Sequence, residues 1–196
     1  MTLHRTFISV ELSPENRRLV ADLQDRLRAA GARLRWIKPH NLHFTLRFLG
    51  ELPAAQVARA TVATREAVRT ATPFTVTIGG LGAFPTFERP QVVWVGSQEG
   101  AEALERLAED LNASLARERF PDDPRHFRPH LTLGRSRDDR QWGELVRALQ
   151  QHRDAAIGEQ RVEVVTVMES RLTPDGPVYA PWEQVRLGYG LNSSGA

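Results

Sequence analysis

The sequence predicts an α+β fold with antiparallel or mixed sheets, and three observations carry that reading. Strand and helix patterns follow one another as strand, helix, strand, helix, and do so twice along 196 residues. The strand segments are not the uninterrupted apolar runs that a parallel sheet buried on both faces requires. A short string, His-x-Thr-Leu, stands at His43–Leu46 and again at His130–Leu133, 87 positions later and so close to half the chain.

Each element has its own signal. Thr6 to Leu12 alternates apolar and polar residues and reads as a strand. Ser13 and Pro14 supply an N-cap and a first-turn proline for a helix with Leu19, Leu23 and Leu27 on one face, ending at Gly31. Leu42 to Leu49 is a second strand, closed by Gly50, and Pro53 opens a helix running to about Arg69. Phe74 to Ile78 and Gln91 to Val95 read as a strand pair, with a glycine-rich loop from Gly79 to Pro85 between them. Glu99 to Arg119 is an amphipathic helix with Leu104, Leu107, Leu111 and Leu115 at helical spacing. Pro121, Pro124 and Pro129 forbid a helix after it, so His130 to Leu133 enters a strand. A short helix from Trp142 to Gln151 precedes a closing strand pair, Val162 to Leu172 and Val178 to Leu187, around a turn at residues 174–177.

Composition sets outer bounds. With 41% hydrophobic and 26% charged residues, the balance is that of an ordinary globular chain. No apolar run approaches the roughly 20 residues of a membrane helix, and the first residues lack the apolar core of a signal peptide, so a soluble cytoplasmic protein is expected. The absence of cysteine excludes disulfides, thiolate metal sites and a cysteine nucleophile. Lys38 is the single lysine among 26 basic residues, so the other 25 are arginine. Arginine forks match phosphate oxygens, although a GC-rich genome also yields arginine, and 24 acidic residues nearly balance the charge.

Strand geometry gives the repeated string its meaning. Side chains alternate between faces, so His43 and Thr45 share one face while Phe44 and Leu46 point to the core. His130 and Thr132 stand in the same way against Leu131 and Leu133. A fold built twice brings the two polar faces together across a pseudo-two-fold cleft. Two imidazoles there suit phosphoester chemistry without a metal: one takes a proton from water and the other gives one to the leaving oxygen. Threonine hydroxyls can donate to phosphate oxygens as negative charge builds on them.

These strings sit in a wider pattern that resembles the two-histidine phosphoesterases, specifically the RNA 2′,3′-cyclic phosphodiesterases, also called 2′-5′ RNA ligases. The similarity runs through Arg5–Ile8, Asn41–Gly50, Val93–Gly96, Phe127–Arg135 and Glu169–Leu172. It implies a bilobal fold: two pseudo-symmetric lobes with outer helices around a central cleft, within one catalytic domain spanning 1–191 and followed by a flexible tail, 192–196. It also implies metal-independent hydrolysis of terminal RNA 2′,3′-cyclic phosphates to 2′-phosphomonoesters, with reverse 2′-5′ ligation as a side activity. By the same resemblance His43 is the proton donor, His130 the proton acceptor, and Thr45 and Thr132 hold the phosphate. The implied partners are RNA ends, tRNA halves among them, acted on by a monomer.

Further residues are candidates for substrate contact. Arg135 resembles a family arginine near the substrate; strict alternation puts it opposite His130, and a bulge at Gly134 would re-aim it. Arg47 keeps parity with His43, either for substrate or as a solvated strand residue. Phe7 is a base-stacking platform or an inward core residue, and Trp36 and Trp94 read as core or cleft wall.

Rival readings remain at this level. His40-x-x-His43 and His126-x-x-x-His130 suggest a metal hydrolase, but no carboxylate stands at a customary ligand spacing, so no metal is expected. A binding module for RNA or nucleotides, or a phosphodiesterase for another cyclic or 2′-5′ linked nucleotide, would keep the cleft. Gly79–Gly82 lacks the Lys-Ser/Thr of a phosphate-cradling loop, so no cofactor is expected, although nucleotides would fit the cleft as product mimics.

Overall fold

A computed structural model describes residues 2–123, 126–136, 142–174 and 176–190. Among them nine strands form one sheet, and every pairing in it is antiparallel. The elements are β1 (Leu3–Glu11), α1 (Pro14–Ala29), β2 (Leu34–Trp36), β3 (His43–Pro53), α2 (Ala54–Val68), β4 (Phe74–Pro85), β5 (Pro90–Ser97), α3 (Ala101–Arg117), β6 (His130–Ser136), α4 (Trp142–Gln151), β7 (Ala156–Val162), β8 (Val164–Thr173) and β9 (Gly176–Arg186).

The strand order is β7-β4-β5-β6-β3-β1-β8-β9, with short β2 added to β6. Two four-strand halves therefore meet at β6 and β3, the strands that carry the His-x-Thr strings. The halves are interleaved in sequence, because C-terminal β8 and β9 join β1 while β2 crosses to β6. Helix α1 packs on β7, α2 on α3 and on the β3-β1-β8-β9 half, and α4 on β5.

Local chemistry explains the elements. The Ser13 side chain caps α1, accepting from the Asn16 N–H at 3.1 Å, and Pro14 opens the first turn. Gly31, at φ +94°, ends that helix in the left-handed region that favours glycine. Leu104, Leu107, Leu111 and Leu115 of α3 are all buried, each stabilising the fold by about 1.5–3 kcal/mol through removal from water. Among the described residues no helix is long and apolar enough to cross a membrane.

Besides short β2, which the sequence pattern does not signal, three segments differ from the sequence expectation. Residues 79–85, which present as a glycine-rich loop, continue β4. Gly80, at φ +73°, is an extra residue there, since Gly79 faces Gly96 while Leu81 faces Val95. Gly82 is needed because the Trp94 indole lies across it: a Cβ would stand 2.1 Å from that ring. Strand β7 escapes the sequence pattern because its edge position leaves only Ile157, Gln160 and Val162 buried among polar and small residues. Strand β3 runs past Gly50 to Pro53, with Gly50 at φ +79° beside a second irregularity opposite β1. The tail at 192–196, and Asp175 of the expected turn at 174–177, lie outside the described residues.

Two glycine substitutions separate strain from collision. Gly50→Ala meets no atom within 4 Å and should cost about 1 kcal/mol of strain. Gly82→Ala should cost about 1–3 kcal/mol and shift the tryptophan emission, because Trp94 must move. Chemical denaturation followed by fluorescence checks both; equal, small losses would contradict the packing of Trp94.

Candidate active site

Strands β3 and β6 pair at Phe44 and Leu131, which are equivalent positions of the two strings. A local two-fold axis therefore passes between them. Antiparallel register sets His43 beside Thr132 and Thr45 beside His130 on one face. All four are half-buried there, while Phe44 and Leu131 are fully buried on the other face.

Both imidazoles are anchored in the same way. His43 donates from Nδ1 to the Asn41 carbonyl at 2.8 Å, and His130 donates from Nδ1 to the Arg128 carbonyl at 2.7 Å. With the proton held at Nδ1, each Nε2 is the nitrogen left to exchange protons with a bound molecule. The Thr45 and Thr132 hydroxyls make no hydrogen bond with the described residues. Four groups able to act on one phosphate thus share a face.

Each string also ends in a bulge at the same place. Opposite β1, Thr45 faces Ser9 and Arg47 faces Ile8, which leaves Leu46 as the extra residue. Opposite β5, Thr132 faces Trp94 and Gly134 faces Val93, which leaves Leu133 extra. Alternation resets beyond each bulge. Arg135 accordingly rejoins the face of His130, and Phe48 rejoins the face of His43.

The same reset moves Arg47 off that face, which corrects its place among the candidate substrate contacts. It is 7% exposed, donates to the Pro121 carbonyl, and holds Nη1 3.5 Å from the Asp123 carboxylate. Its counterpart is Gly134, where Leu34 of β2 lies so close that a Cβ would stand 3.0 Å away.

Aromatic rings wall each histidine. Phe7 stacks on His43 at 4.7 Å between centroids, and Tyr179 of β9 meets His43 edge-on at 5.3 Å. Phe84 meets His130 edge-on at 5.1 Å, with Trp94 at 6.0 Å. Phe7 is therefore not a platform for a base: it is buried beneath His43, and its ring face is already used. Trp94 is cleft wall, whereas Trp36 packs on the core with Arg28 across its ring. At equivalent positions beside the threonines, Ser9 Oγ and Trp94 Nε1 are buried without a hydrogen-bond partner among the described residues.

Charge distinguishes the two histidines. Register places Glu11 across from His43 but Gly96 across from His130. Burial holds the His43 pKa below the ordinary histidine value, and His130 adds to that, while the Asn41 carbonyl and the Glu11 carboxylate oppose it. Burial lowers His130 too, against the Arg128 carbonyl, and the Arg135 guanidinium lowers it further. Glu11 is held by Thr166 Oγ1 at 3.3 Å and Gln184 Nε2 at 3.2 Å, with Arg17 3.7 Å away.

Glu11, Tyr179 and Phe84 were not legible as site residues, because each joins through strand register rather than through a motif. The second histidine of each suspected metal pair lies apart: His40 is exposed in the turn before β3 and His126 is exposed before β6. Among the described residues no three His, Cys, Asp or Glu side chains cluster as metal ligands.

Comparison with known proteins agrees with this fold and places it in a family. Residues 10–171 match the model of the 2′-5′ RNA ligase superfamily. A Methanothermobacter thermautotrophicus protein named RNA 2′,3′-cyclic phosphodiesterase is 34% identical over 183 residues, covering 93% of this chain and 98% of that relative. An Aquifex aeolicus protein of the same name is 35% identical over 157 residues, covering 79% of this chain and 82% of that one. A crystal structure of a Thermus thermophilus protein superposes with a TM-score of 0.79 at 30% identity, covering 94% and 98% of the two chains. The chain belongs to the 2′-5′ RNA ligase superfamily.

Proposed function

We propose that this protein hydrolyses terminal RNA 2′,3′-cyclic phosphates to 2′-phosphomonoesters. The observation that carries the reading is the pair of imidazoles, each pinned at Nδ1 and each beside the other string's threonine, across one two-fold. The names of the curated relatives support the substrate class.

The reaction follows from that geometry. A water oxygen attacks phosphorus while His130 Nε2 takes its proton. The bond from phosphorus to the 3′ oxygen breaks, and that oxygen takes a proton from His43 Nε2. Thr45 and Thr132 donate to the non-bridging oxygens, where a pre-aimed donor is worth most. Run in the same direction with a 5′-hydroxyl in place of water, the same transfers join RNA ends through a 2′-5′ bond.

Charge supports the division of labour between the histidines. Glu11 favours a proton on His43, and among the described residues nothing equivalent faces His130. Arg135 disfavours a proton on His130, and its counterpart on β3 is the neutral ring of Phe48. His43 is thus the acid and His130 the base. Arg135, back on the cleft face, makes no ion pair with the described residues and is suited to a phosphate oxygen. In this reading a monomer acts on cytoplasmic RNA ends, tRNA halves among them, as the sequence suggested.

Turnover of an oligonucleotide ending in a cyclic phosphate, in excess EDTA, tests the proposal. Activity should persist with EDTA, and His43→Ala or His130→Ala should each lower kcat by about 10² to 10⁴ with circular dichroism unchanged. Activity that requires added metal, or near-normal rates in both variants, would contradict it.

The pH profile tests the roles. Rate should rise as His130 loses its proton and fall as His43 loses its own. Both values are lowered, so the optimum should lie on the acid side of 6.5. Glu11→Gln removes a charge that favours the His43 proton, so the alkaline limb should move to lower pH and narrow the bell. Arg135→Gln should move the acid limb to higher pH. If Glu11→Gln instead widened the bell on its acid side, the acid and base would be exchanged.

A further inference from the structure

On the cleft face the two motif strands match until the second residue after each bulge, where β6 presents Arg135 and β3 presents Phe48. The β3 half, whose Arg47 lies on the other face, receives a cleft-face arginine from β1. Arg5 shares the face of Phe7, Ser9 and Glu11 by alternation, and its guanidinium carbon lies 4.7 Å from the Phe48 ring centroid. Phe48 is 39% exposed, so this pair stands at the open edge of the cleft face. Arg5, like Arg135, makes no ion pair or hydrogen bond with the described residues. Burial raises the pKa of the Tyr179 hydroxyl while Arg135 and then Arg5 lower it, so the two guanidiniums act on one point of the cleft from its two halves.

One phosphate is already served by the histidines, the threonines and Arg135. Arg5 lies two residues from Phe7, the ring stacked on His43, which is about 7 Å along an extended strand. That is the reach of a neighbouring nucleotide rather than of the reacting phosphate. A planar guanidinium resting on an aromatic ring is held in place with its donor edge free, which lowers the entropy cost of binding a phosphate.

We propose that Arg5, seated on Phe48, binds the phosphodiester on the 5′ side of the terminal nucleotide and makes the protein select RNA ends over cyclic mononucleotides. The proposal rests on the cyclic phosphodiesterase reading and names the substrate feature that this cleft selects. Arg5 is a specificity residue here, with no part in the proton transfers.

The test compares cytidine 2′,3′-cyclic phosphate with the dinucleotide CpC ending in the same cyclic phosphate. The wild-type protein should favour the dinucleotide in kcat/KM, chiefly through KM. Arg5→Gln should lower the dinucleotide-to-mononucleotide ratio by about 10- to 100-fold, the worth of a lost charge-assisted contact, and Arg5→Lys should lower it less. The salt dependence of dinucleotide binding should weaken by about one phosphate contact in Arg5→Gln. An unchanged ratio, or no preference in the wild type, would overturn the proposal. Equilibrium binding of cytidine 2′-phosphate and of CpC 2′-phosphate makes the same comparison without turnover. A chain that hydrolyses neither substrate yet loses dinucleotide binding in Arg5→Gln would keep the subsite and overturn the catalytic reading instead. Equal binding of both products by both proteins would overturn the subsite.

Discussion

The structure depends on one pairing: Phe44 against Leu131, where two half-sheets meet. These are the middle residues of the two His-x-Thr strings, and both are fully buried. Because the strands run antiparallel, burying this pair turns the flanking histidines and threonines to the other face, each histidine beside the opposite threonine. A slip of one residue by either strand would send that strand's histidine and threonine into the core and bring its own buried residue, Phe44 or Leu131, out. Packing and chemistry therefore enforce the same register.

A symmetric site has no direction, whereas proton transfer needs one. In the proposed mechanism two differences within the repeat supply it. Glu11 stands where the other half has Gly96, and Arg135 stands where the other half has Phe48. Each changes charge without changing the backbone, since both bulges fall at the same step of the motif. Backbone carbonyls at Asn41 and Arg128 hold the rings in the same way, so in the proposed mechanism the difference between acid and base comes from Glu11 on β1 and Arg135 on β6.

Much of this was written in the local pattern. The parity of His43, Thr45, His130 and Thr132 follows from alternation, and α3 follows from four leucines. Gly134 was readable as a bulge that would re-aim Arg135. Parity carried Arg47 to the wrong face, because the bulge at Leu46 depends on what β1 offers opposite, and a single strand does not reveal its partner. The segment from Gly79 to Pro85 looked like a loop because its glycines answer to Trp94, a residue on another strand. Glu11, Tyr179, Arg5 and Phe48 reach the cleft only once the register of β1, β3 and β9 is known.

The central claim is that charge makes this two-fold cleft directional, so that only one of the two ester oxygens of a cyclic phosphate is released. Its most direct test is the position of the phosphate left on an RNA oligonucleotide after hydrolysis of a terminal 2′,3′-cyclic phosphate, read by NMR of the phosphorus. A single product with the phosphate on the 2′ oxygen is predicted. A 3′-phosphate, or a mixture of the two, would contradict it.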